Sequence, residues 1–531
     1  MLFTAQQIAY RDTHAFSKVA LDYVEGKTVL QSFIEAAPTE GSIQKAIEKK
    51  QQQPVDRATL VRVLKEQYAA VEPNAAVSTN IKALLSPDTF TICTAHQPNL
   101  FTGPIFFIYK ILHAIQLADV FKKKFPQYKF VPVYYMGSED ADKEELLHTY
   151  LNGKRYEWQT KQTGAVGRMK IDAAVVKLID EMAGQLHVYP FGKEITQQLY
   201  DCYTVGKDLQ VATFQFVHGL FKKFGLVVLI PDNGLLKKLM LPVFEADLFE
   251  QASSAIVDQT CQRLSEHYNV QANPREINLF YLAGGIRNRI VKQGDSYVVH
   301  ETAIRFTEAE LRNELQEHPE RFSPNVILRG LFQETILPNL VFVGGGGELA
   351  YWLQLKDLFR HYGVPYPVLV LRNSFLIIEK KWKQRLQKWD LSDKKLFETE
   401  LQILNSLLAQ EGKLPQLNGE VEQIVSVYED LKKLAGSVDV TLNKHVEALK
   451  TRTLQQLQNL EKKMMRTERK KHQALQHQVQ QLKQALFPMN NLQERVENFS
   501  SFYAKWGTGF IDDLLQHSLT LEQQFTTLTE A

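Results

Sequence analysis

The stretch NLVFVGGGGELAYWLQLKDLFRHYGVPYPVLVL, residues 339–371, decides the fold. An apolar run at 339–343 enters four glycines, and a helical pattern then runs from Glu348 to about His361. A second apolar run follows at 367–371. Strands that are apolar throughout, rather than alternating, are typical of a parallel sheet buried on both faces. The stretch therefore predicts one strand, glycine turn, helix and second strand of a parallel α/β sheet.

Two further units of the same kind occur upstream. The first has an apolar strand from Thr91, a polar loop, an apolar helix at about 105–121 and the strand FVPVYYM at 130–136. The second has the strand LVVLI at 226–230, which enters a Pro-Asp-Asn-Gly turn and a helix. Three such units predict an α/β fold with a Rossmann-like, doubly wound parallel core.

The remaining segments differ in character. Residues 1–90 are mostly helical in pattern, and a stretch at about 255–325 with short β-like runs predicts a small α+β insertion within a core of residues 1–380. Residues 381–490 are polar and helical, with apolar residues near a 3-4 repeat that indicates a coiled coil. The aromatic-rich segment 491–531 needs a surface to pack on, so we expect it to return to the core.

The composition excludes several classes of protein. The 531 residues carry 62 Lys+Arg and 60 Asp+Glu, a formal net charge of +2, which gives no electrostatic reason to expect nucleic acid or an anionic membrane as a partner. The three cysteines are far apart and form no CxxC, which excludes a disulfide framework and an all-thiolate zinc site. No apolar stretch is long enough to span a membrane, and the N-terminus lacks a secretory signal. We expect a cytoplasmic protein.

Candidate site residues cluster where the predicted strands end, because ligands of open α/β sheets bind at the carboxyl ends of the strands. The loop after the first strand offers His96 as an acid or base, with Gln97, Asn99 and Thr102 as hydrogen-bonding groups. A loop built from capping residues is the competing interpretation. After the next strand, Glu139, Asp140 and Asp142 could hold an amine or accept its proton, or match the dipole of a following helix.

A glycine turn and several polar residues complete the candidate set. A run of glycines allows backbone amides to approach an oxyanion closely, although this run lacks the GK[ST] of a P-loop and fits only the loose form of the dinucleotide pattern. Arginines near strand ends suit carboxylate or phosphate recognition. The candidates for a nucleotide are Gly344, Gly345, Gly346, Gly347 and Glu348, and those for substrate are Arg329, Gln333, Arg372 and Ser374.

Four separated blocks of sequence resemble one known family. They are AHQPNLFTGPIFFIYKILHAIQLA at 95–118, VPVYYMGSEDADKEELLH at 131–148, FSPNVILRGLFQETILPNLVFVGGGGELAYWLQLK at 322–356 and LQERVENFSSFY at 492–503. Their order, spacing and residues are similar to those of the cysteine-adding enzymes of bacillithiol biosynthesis, and the resemblance runs nearly end to end. Several blocks together are far more specific than any single glycine run.

The resemblance implies a core related to class I aminoacyl-tRNA synthetases, a connecting insertion, and a coiled coil used in homodimerisation. It also implies a ligase that joins the carboxyl group of L-cysteine to the amine of glucosaminyl-malate in the last step of the pathway. Such a reaction needs an activated carboxylate, so ATP or another adenine nucleotide is a candidate partner, and no metal is inferred. In this hypothesis Arg329 or Arg372 holds a malate carboxylate and the acidic cluster holds the amines.

Two alternatives stay open. A non-catalytic nucleotide-binding scaffold, which would present a partner through its coiled coil, agrees with the absence of a standard nucleotide motif. An NAD(P)-dependent oxidoreductase is disfavoured, because Arg372 rather than an acidic residue ends the strand after the glycine turn.

Overall fold

A computed structural model describes residues 2–414 and 416–531. Within these residues the strands in chain order are β1 Phe3–Ile8, β2 Thr89–His96, β3 Lys129–Met136, β4 His148–Leu151, β5 Lys154–Glu157, β6 Val227–Leu229, β7 Leu279–Ala283, β8 Ile286–Gln293, β9 Ser296–Val299, β10 Arg305–Thr307, β11 Phe322–Pro324, β12 Asn339–Gly344, β13 Val368–Leu371, β14 Phe375–Ile378 and β15 Phe525–Glu530.

The α-helices in chain order are α1 Lys18–Val24, α2 Glu40–Gln51, α3 Arg57–Tyr68, α4 Ala75–Ala83, α5 Phe106–Lys124, α6 Lys143–Leu146, α7 Ala173–Leu186, α8 Gly192–Cys202, α9 Leu209–Phe221, α10 Gly234–Lys238, α11 Leu241–Glu245, α12 Ala252–Ser265, α13 Glu308–Glu317, α14 Val326–Ile336, α15 Gly346–Trp352, α16 Lys356–His361, α17 Lys380–Lys388, α18 Glu400–Gln410, α19 Asn418–Val438, α20 Leu442–Lys471, α21 Gln473–Leu486, α22 Phe499–Trp506 and α23 Thr508–Gln516.

The central sheet has the order β13-β12-β2-β3-β6, and each neighbouring pair is parallel. Every residue of β2, β12 and β13 is buried, as expected for strands covered on both faces. The predicted Rossmann-like parallel core is confirmed. Residues 1–90, predicted to be mostly helical, contain α1 to α4 and also the strand Phe3–Ile8.

A second sheet has the order β10-β9-β8-β7-β11, and each of its neighbouring pairs is antiparallel. It occupies the region predicted as an insertion. β8 carries polar residues at most of its positions and only Ile290 of it is buried, because only one face of such a sheet needs to be covered. A third sheet joins the two ends of the chain through antiparallel pairing of β1 with β15. This pairing ties the last residues to the first unit.

Contacts divide the chain into two units. The first runs to Ile377 and resumes at Asn491, and the second comprises Ile378–Asn490. Within the second unit, α18 packs on α21 and α19 packs on α20. The helical pattern predicted for residues 381–490 has a break at His472, within the charged stretch RTERKKHQ at 466–473, where the repeat lacks apolar residues.

No helix among the described residues is long and apolar enough to cross a membrane.

The segment after Asn491 packs within the first unit, as α22 contacts α8 and α23 contacts α5. Its buried Asn498 donates hydrogen bonds to the carbonyls of Phe101, at 2.9 Å, and Gly103, at 2.7 Å. The backbone of this loop is strained, because Phe101 has a φ of 51° and Thr102 a φ of 73°. Asn498 therefore holds the polar loop that follows β2.

We predict that Asn498→Ala lowers the free energy of unfolding of the first unit by about 2–4 kcal/mol, because it leaves buried backbone carbonyls without a donor. The matched control is Asn313→Ala on the exposed face of α13, which should change stability by less than about 0.5 kcal/mol. Urea unfolding followed by tryptophan fluorescence measures both variants. Equal losses in the two variants would contradict this account of the loop.

Candidate active site

A cavity of about 850 Å³ opens at the carboxyl ends of the central strands. All five strands contribute to its wall: His96 ends β2, Gly137 follows β3, Pro231 follows β6, Gly345 follows β12 and Arg372 follows β13. The antiparallel insertion closes another side, with residues 271–275, Phe280, Arg287 and Asn325. The location agrees with the rule that ligands of parallel α/β sheets bind beyond the carboxyl ends of the strands.

His96 is the last residue of β2 and lines the cavity as a neutral ring. The ring stacks on Phe107 at 5.1 Å between centroids and meets Phe106 edge-on. Burial, followed by the charges of Lys110 and Arg329, lowers the pKa of His96 well below its usual range. Its Nε2 is buried and has no hydrogen-bond partner among the described residues. A neutral imidazole with a free nitrogen can hydrogen-bond to a ligand but adds no positive charge.

The acidic cluster after β3 separates into different roles. Asp142 is exposed and caps α6, accepting a hydrogen bond from the backbone N–H of Glu145 at 3.1 Å, and it does not line the cavity. Asp140 lines the cavity and accepts a hydrogen bond from Gln97 Nε2 at 3.2 Å. Burial raises the pKa of Asp140, but Arg287 and the Gln97 hydrogen bond outweigh burial and leave the pKa below its usual value. Asp140 is therefore an ionised carboxylate at neutral pH.

Glu139 also lines the cavity but belongs to a buried charge network. Lys237 Nζ donates to Glu139 Oε1 and lies 3.4 Å from Asp232 Oδ1. Asp232 in turn receives two hydrogen bonds of 2.6 Å from Arg168. Burial raises the pKa of Glu139, although Lys237 opposes this shift. The other carboxylate oxygen, Oε2, accepts a 3.2 Å hydrogen bond from Ser323 Oγ.

The glycine turn lines the cavity from Gly345 to Glu348, whereas Gly344 is the last residue of β12. A Cβ on Gly344 would lie 2.8 Å from the Phe342 ring, so close packing requires the glycine. A Cβ on Gly345 would lie 3.7 Å from Arg372 Nε and would take up space above that guanidinium. Glu348 Oε2 accepts hydrogen bonds from the Gly345 N–H at 2.8 Å and from the buried Lys110 at 2.6 Å. The turn is thus fixed by a charge pair behind it.

Five arginines line the cavity, and most of them are available for an anion. Arg329 donates to the Tyr351 hydroxyl at 2.9 Å, and Tyr351 raises the pKa of Arg329 although burial opposes this shift. Arg287 donates to Ser323 and lies over the Phe280 ring at 4.1 Å. Arg372 is ion-paired with Glu494 at 2.8 Å. Of these five arginines of the cavity wall, Arg275, Arg287, Arg329 and Arg495 form no ion pair with the described residues.

The structure brings together His96, Gln97, Glu139, Asp140, Arg329, Gly345, Gly346, Gly347, Glu348 and Arg372. It does not place Asn99, Thr102, Asp142, Gln333, Gly344 or Ser374 on the cavity wall. Gln333 donates to the neighbouring Glu334 at 2.8 Å inside the core, and Asn99 donates to the Glu145 carbonyl at 3.4 Å. Ser374 accepts a hydrogen bond from Arg372 at 3.0 Å and so contacts the site through that residue.

Several residues of the wall were not predicted from the sequence. Ser138 follows directly after the quoted strand FVPVYYM and Gly137, and its buried Oγ has no partner within the described part of the chain. The signal that could have found it was its position beside the predicted Glu139. Arg275, Arg287 and Arg495 come from the insertion and from the segment after Asn491, where no strand-end pattern marks them.

No group of three or more His, Cys, Asp or Glu side chains that could hold a metal occurs in residues 2–414 and 416–531.

The fold and the cavity define a Rossmann-like α/β protein whose strand-end cavity carries both guanidinium and carboxylate groups. Residues 3–373 match the family model "Bacillithiol biosynthesis BshC, N-terminal Rossmann-like domain", and residues 375–530 match the corresponding C-terminal coiled-coil domain. The chain therefore belongs to the BshC family of bacillithiol biosynthesis, and the predicted family and coiled-coil region are confirmed.

Curated relatives agree with this assignment. A protein of Flavobacterium johnsoniae named "Putative cysteine ligase BshC" is 36% identical over 98% of this chain and 99% of its own length. Proteins with the same name from Cytophaga hutchinsonii and Christiangramia forsetii are 38% and 36% identical, over 94% and 98% of this chain and the same shares of their own lengths. The expectation of a ligase is confirmed at the level of the family.

We predict that His96 makes stability depend on pH. The folded state holds His96 neutral, so it binds fewer protons than the unfolded state below a pH of about 6.5, and stability falls as the pH is lowered. The variant His96→Gln removes this contribution. The stability difference between variant and wild type should stay constant from pH 7 to 8. It should move in favour of the variant by up to about 2 kcal/mol at pH 5. Urea unfolding at each pH measures the difference, and a constant difference down to pH 5 would contradict a buried neutral His96.

Proposed function

We propose that this protein joins the carboxyl group of L-cysteine to the amine of glucosaminyl-malate, forming bacillithiol in the last step of the pathway. The observation that carries the proposal is the mixed charge of one cavity, in which free guanidinium groups face the carboxylates Asp140 and Glu139. Both substrates carry carboxylate and ammonium groups, so each needs both kinds of partner. Membership of a family whose curated relatives are named cysteine ligases supports the same chemistry.

The arginines suit the acidic parts of the substrates. Arg329 is aligned by its hydrogen bond to Tyr351 and has no carboxylate partner among the described residues, so a substrate carboxylate can complete its coordination. Arg372 follows β13, an edge strand of the central sheet, and lies beside the glycine turn. We assign the two malate carboxylates of glucosaminyl-malate to these two guanidinium groups.

The two carboxylates after β3 suit the amine. Asp140 has a lowered pKa and remains charged, so it holds the ammonium group of the substrate. Glu139 has a raised pKa, which makes it the better proton acceptor of the pair. We assign to Glu139 Oε2 the proton that the amine must lose before it attacks, while Lys237 stays paired with Asp232. His96, which is neutral, hydrogen-bonds to the reacting carboxyl group through Nε2.

A nucleotide fits the remaining wall. The buried Ser138 Oγ has no partner in the described residues, and Gly346 and Gly347 line the cavity without presenting a side chain to it. ATP, or another adenine nucleotide, would supply the activation of the cysteine carboxylate when bound. Gly346 and Gly347, with Arg287 and Arg275 from the insertion, are the groups we assign to its phosphates, and the side of the turn at Gly345 is left to the ligand of Arg372. We place the reaction in the cytoplasm, since the three unpaired cysteines suit a reducing compartment.

We also propose a homodimer formed through the second unit. On α19, the side chains of Val427, Leu431, Leu434 and Val438 follow a 4-3-4 spacing and are exposed. The face that packs on α20 is a different one, carrying Tyr428, Glu429 and Lys432. An exposed apolar stripe with coiled-coil spacing needs a partner helix, and a second copy of the chain supplies the same stripe.

We predict that purified protein supplied with cysteine, glucosaminyl-malate and ATP forms bacillithiol, measured by mass spectrometry together with the nucleotide products. Arg329→Ala should lower kcat/KM by about 10- to 100-fold, the loss expected for one charge-assisted contact. The control Arg312→Ala removes an exposed arginine of α13 and should stay within twofold. Failure of the wild type to exceed a reaction without enzyme would contradict the ATP-dependent ligase. Nucleotide binding without product would favour the scaffold alternative.

The dimer gives a separate prediction. Light scattering at micromolar concentration should report twice the mass of one chain, and Leu434→Glu should reduce it to the mass of one chain because a charge cannot be buried in the apolar stripe. Ser426→Glu adds the same charge at an exposed position of α19 outside the stripe and should leave the dimer intact. A single-chain mass for the wild type would contradict the proposal.

A further inference from the structure

The segment Gln493–Asn498, here named the return segment, follows the coiled-coil unit in sequence but lies in the first unit. Polar residues dominate it, yet Gln493, Glu494, Glu497 and Asn498 are all buried. Burying polar groups is costly unless each one is hydrogen-bonded. The buried side chains of the return segment therefore need partners, and their partners show what the segment does.

Each buried side chain holds a different element. Gln493 exchanges hydrogen bonds with the backbone of Ile377 in β14. Glu497 accepts the backbone N–H groups of Asn152, at 2.8 Å, and Gly153, at 3.1 Å, in the turn between β4 and β5. These contacts are structural, because neither partner lies on the cavity wall.

Glu494 differs, since its partner is a residue of the cavity. The side chain is 0% exposed, and Oε1 accepts a hydrogen bond from Arg372 Nη2 at 2.8 Å. Its second oxygen, Oε2, accepts the backbone N–H of Phe375 at 3.2 Å. Both carboxylate oxygens are therefore engaged, and the carboxylate cannot rotate away from the guanidinium without losing a second hydrogen bond.

The remaining contacts fix the plane of Arg372. Nη1 donates to the carbonyl of Asn373 at 2.9 Å and to Ser374 Oγ at 3.0 Å, and the guanidinium lies 4.9 Å from the Phe106 ring. Nε is the nitrogen without a hydrogen bond among the described residues, and it lies 3.7 Å from the position that a Cβ on Gly345 would take. Nη1 donates two hydrogen bonds to the protein and Nη2 one, so the edge that carries Nε–H is the part of the guanidinium with donors left for a ligand.

Glu494 also offsets a repulsion. Arg495, the next residue, lines the same cavity and has no ion pair in the described part of the chain. Burial lowers the pKa of Arg495, Arg372 lowers it further, and Glu494 opposes both effects. Without Glu494, the repulsion between Arg372 and Arg495 would lose the carboxylate that is ion-paired with Arg372.

We propose that Glu494 is the positioning residue for Arg372: it holds the guanidinium so that Nε–H faces the cavity above Gly345 and receives a carboxylate of glucosaminyl-malate. The return segment, which follows the coiled-coil unit in sequence, thus contributes a positioning residue to the site in the first unit. The identity of the carboxylate rests on the proposed function, whereas the position of Arg372 does not.

The test compares Glu494→Gln with Glu497→Gln in the full-length protein. Both changes remove one buried carboxylate from the return segment, so they should lower the thermal unfolding midpoint by similar amounts. Only Glu494→Gln should raise KM for glucosaminyl-malate, by at least tenfold, with KM for cysteine within twofold of wild type. Glu497→Gln should leave both KM values within twofold.

Equal changes of KM for glucosaminyl-malate in the two variants, or no change in either, would overturn the positioning role. Crystal structures of both variants give a readout that does not need activity. Glu494→Gln should displace the Arg372 guanidinium from its place above Gly345, and Glu497→Gln should not. An unmoved Arg372 in Glu494→Gln overturns the proposal. If the wild type is inactive but Glu494→Gln displaces Arg372, the result overturns the proposed function and supports the positioning role.

Discussion

The parallel sheet, buried on both faces, is the constraint on which the rest of the structure depends. Such strands have no face on which a polar side chain can meet water, so the chemistry of the protein is confined to the strand ends. All five strands deliver a residue to the same cavity, from His96 on β2 to Arg372 after β13. The insertion and the segment after Asn491 then add the charges that the strand ends alone do not provide.

Charge compensation behind the wall shapes what the cavity offers. Lys110 is paired with Glu348, Lys237 with Glu139 and Asp232, and Arg372 with Glu494. Breaking such a buried pair would leave an uncompensated charge, so these pairs hold their members in place. The guanidinium groups of Arg275, Arg287, Arg329 and Arg495 have no such partner within the described residues and remain available for an anion. A near-neutral chain thereby presents a cavity lined by five arginines and by the carboxylates of Glu139, Asp140, Glu145 and Glu348.

The sequence predicted the parts of the site that follow directly from apolar runs. His96, Asp140, Gly345 and Arg372 each lie within a few residues of a strand end, and the structure brings all of them to the cavity. Proximity to a predicted strand end was not sufficient to place a residue on the cavity wall. Gln333 and Asn99 donate hydrogen bonds to other groups of the protein instead.

Other parts could not have been found from local patterns. Arg287 lies on a strand of the antiparallel insertion, and its approach to the cavity depends on how that sheet packs on the core. Glu494 and Lys237 are far in sequence from their partners Arg372 and Glu139, separated by 122 and 98 residues. Pairing over such distances is set by tertiary packing, which one sequence does not reveal. The 3-4 repeat of apolar residues likewise predicted the helices of the coiled coil but not the break at His472.

The central claim is that one cavity holds both the carboxylates and the amine of the acceptor substrate. A crystal structure of the wild-type protein with glucosaminyl-malate tests it most directly. The account predicts a malate carboxylate within hydrogen-bond distance of Arg329 or of Arg372 Nε, and the glucosamine amine within hydrogen-bond distance of Asp140 or Glu139. Glucosaminyl-malate bound outside this cavity, or bound in it with the amine turned toward the arginines, would contradict the account.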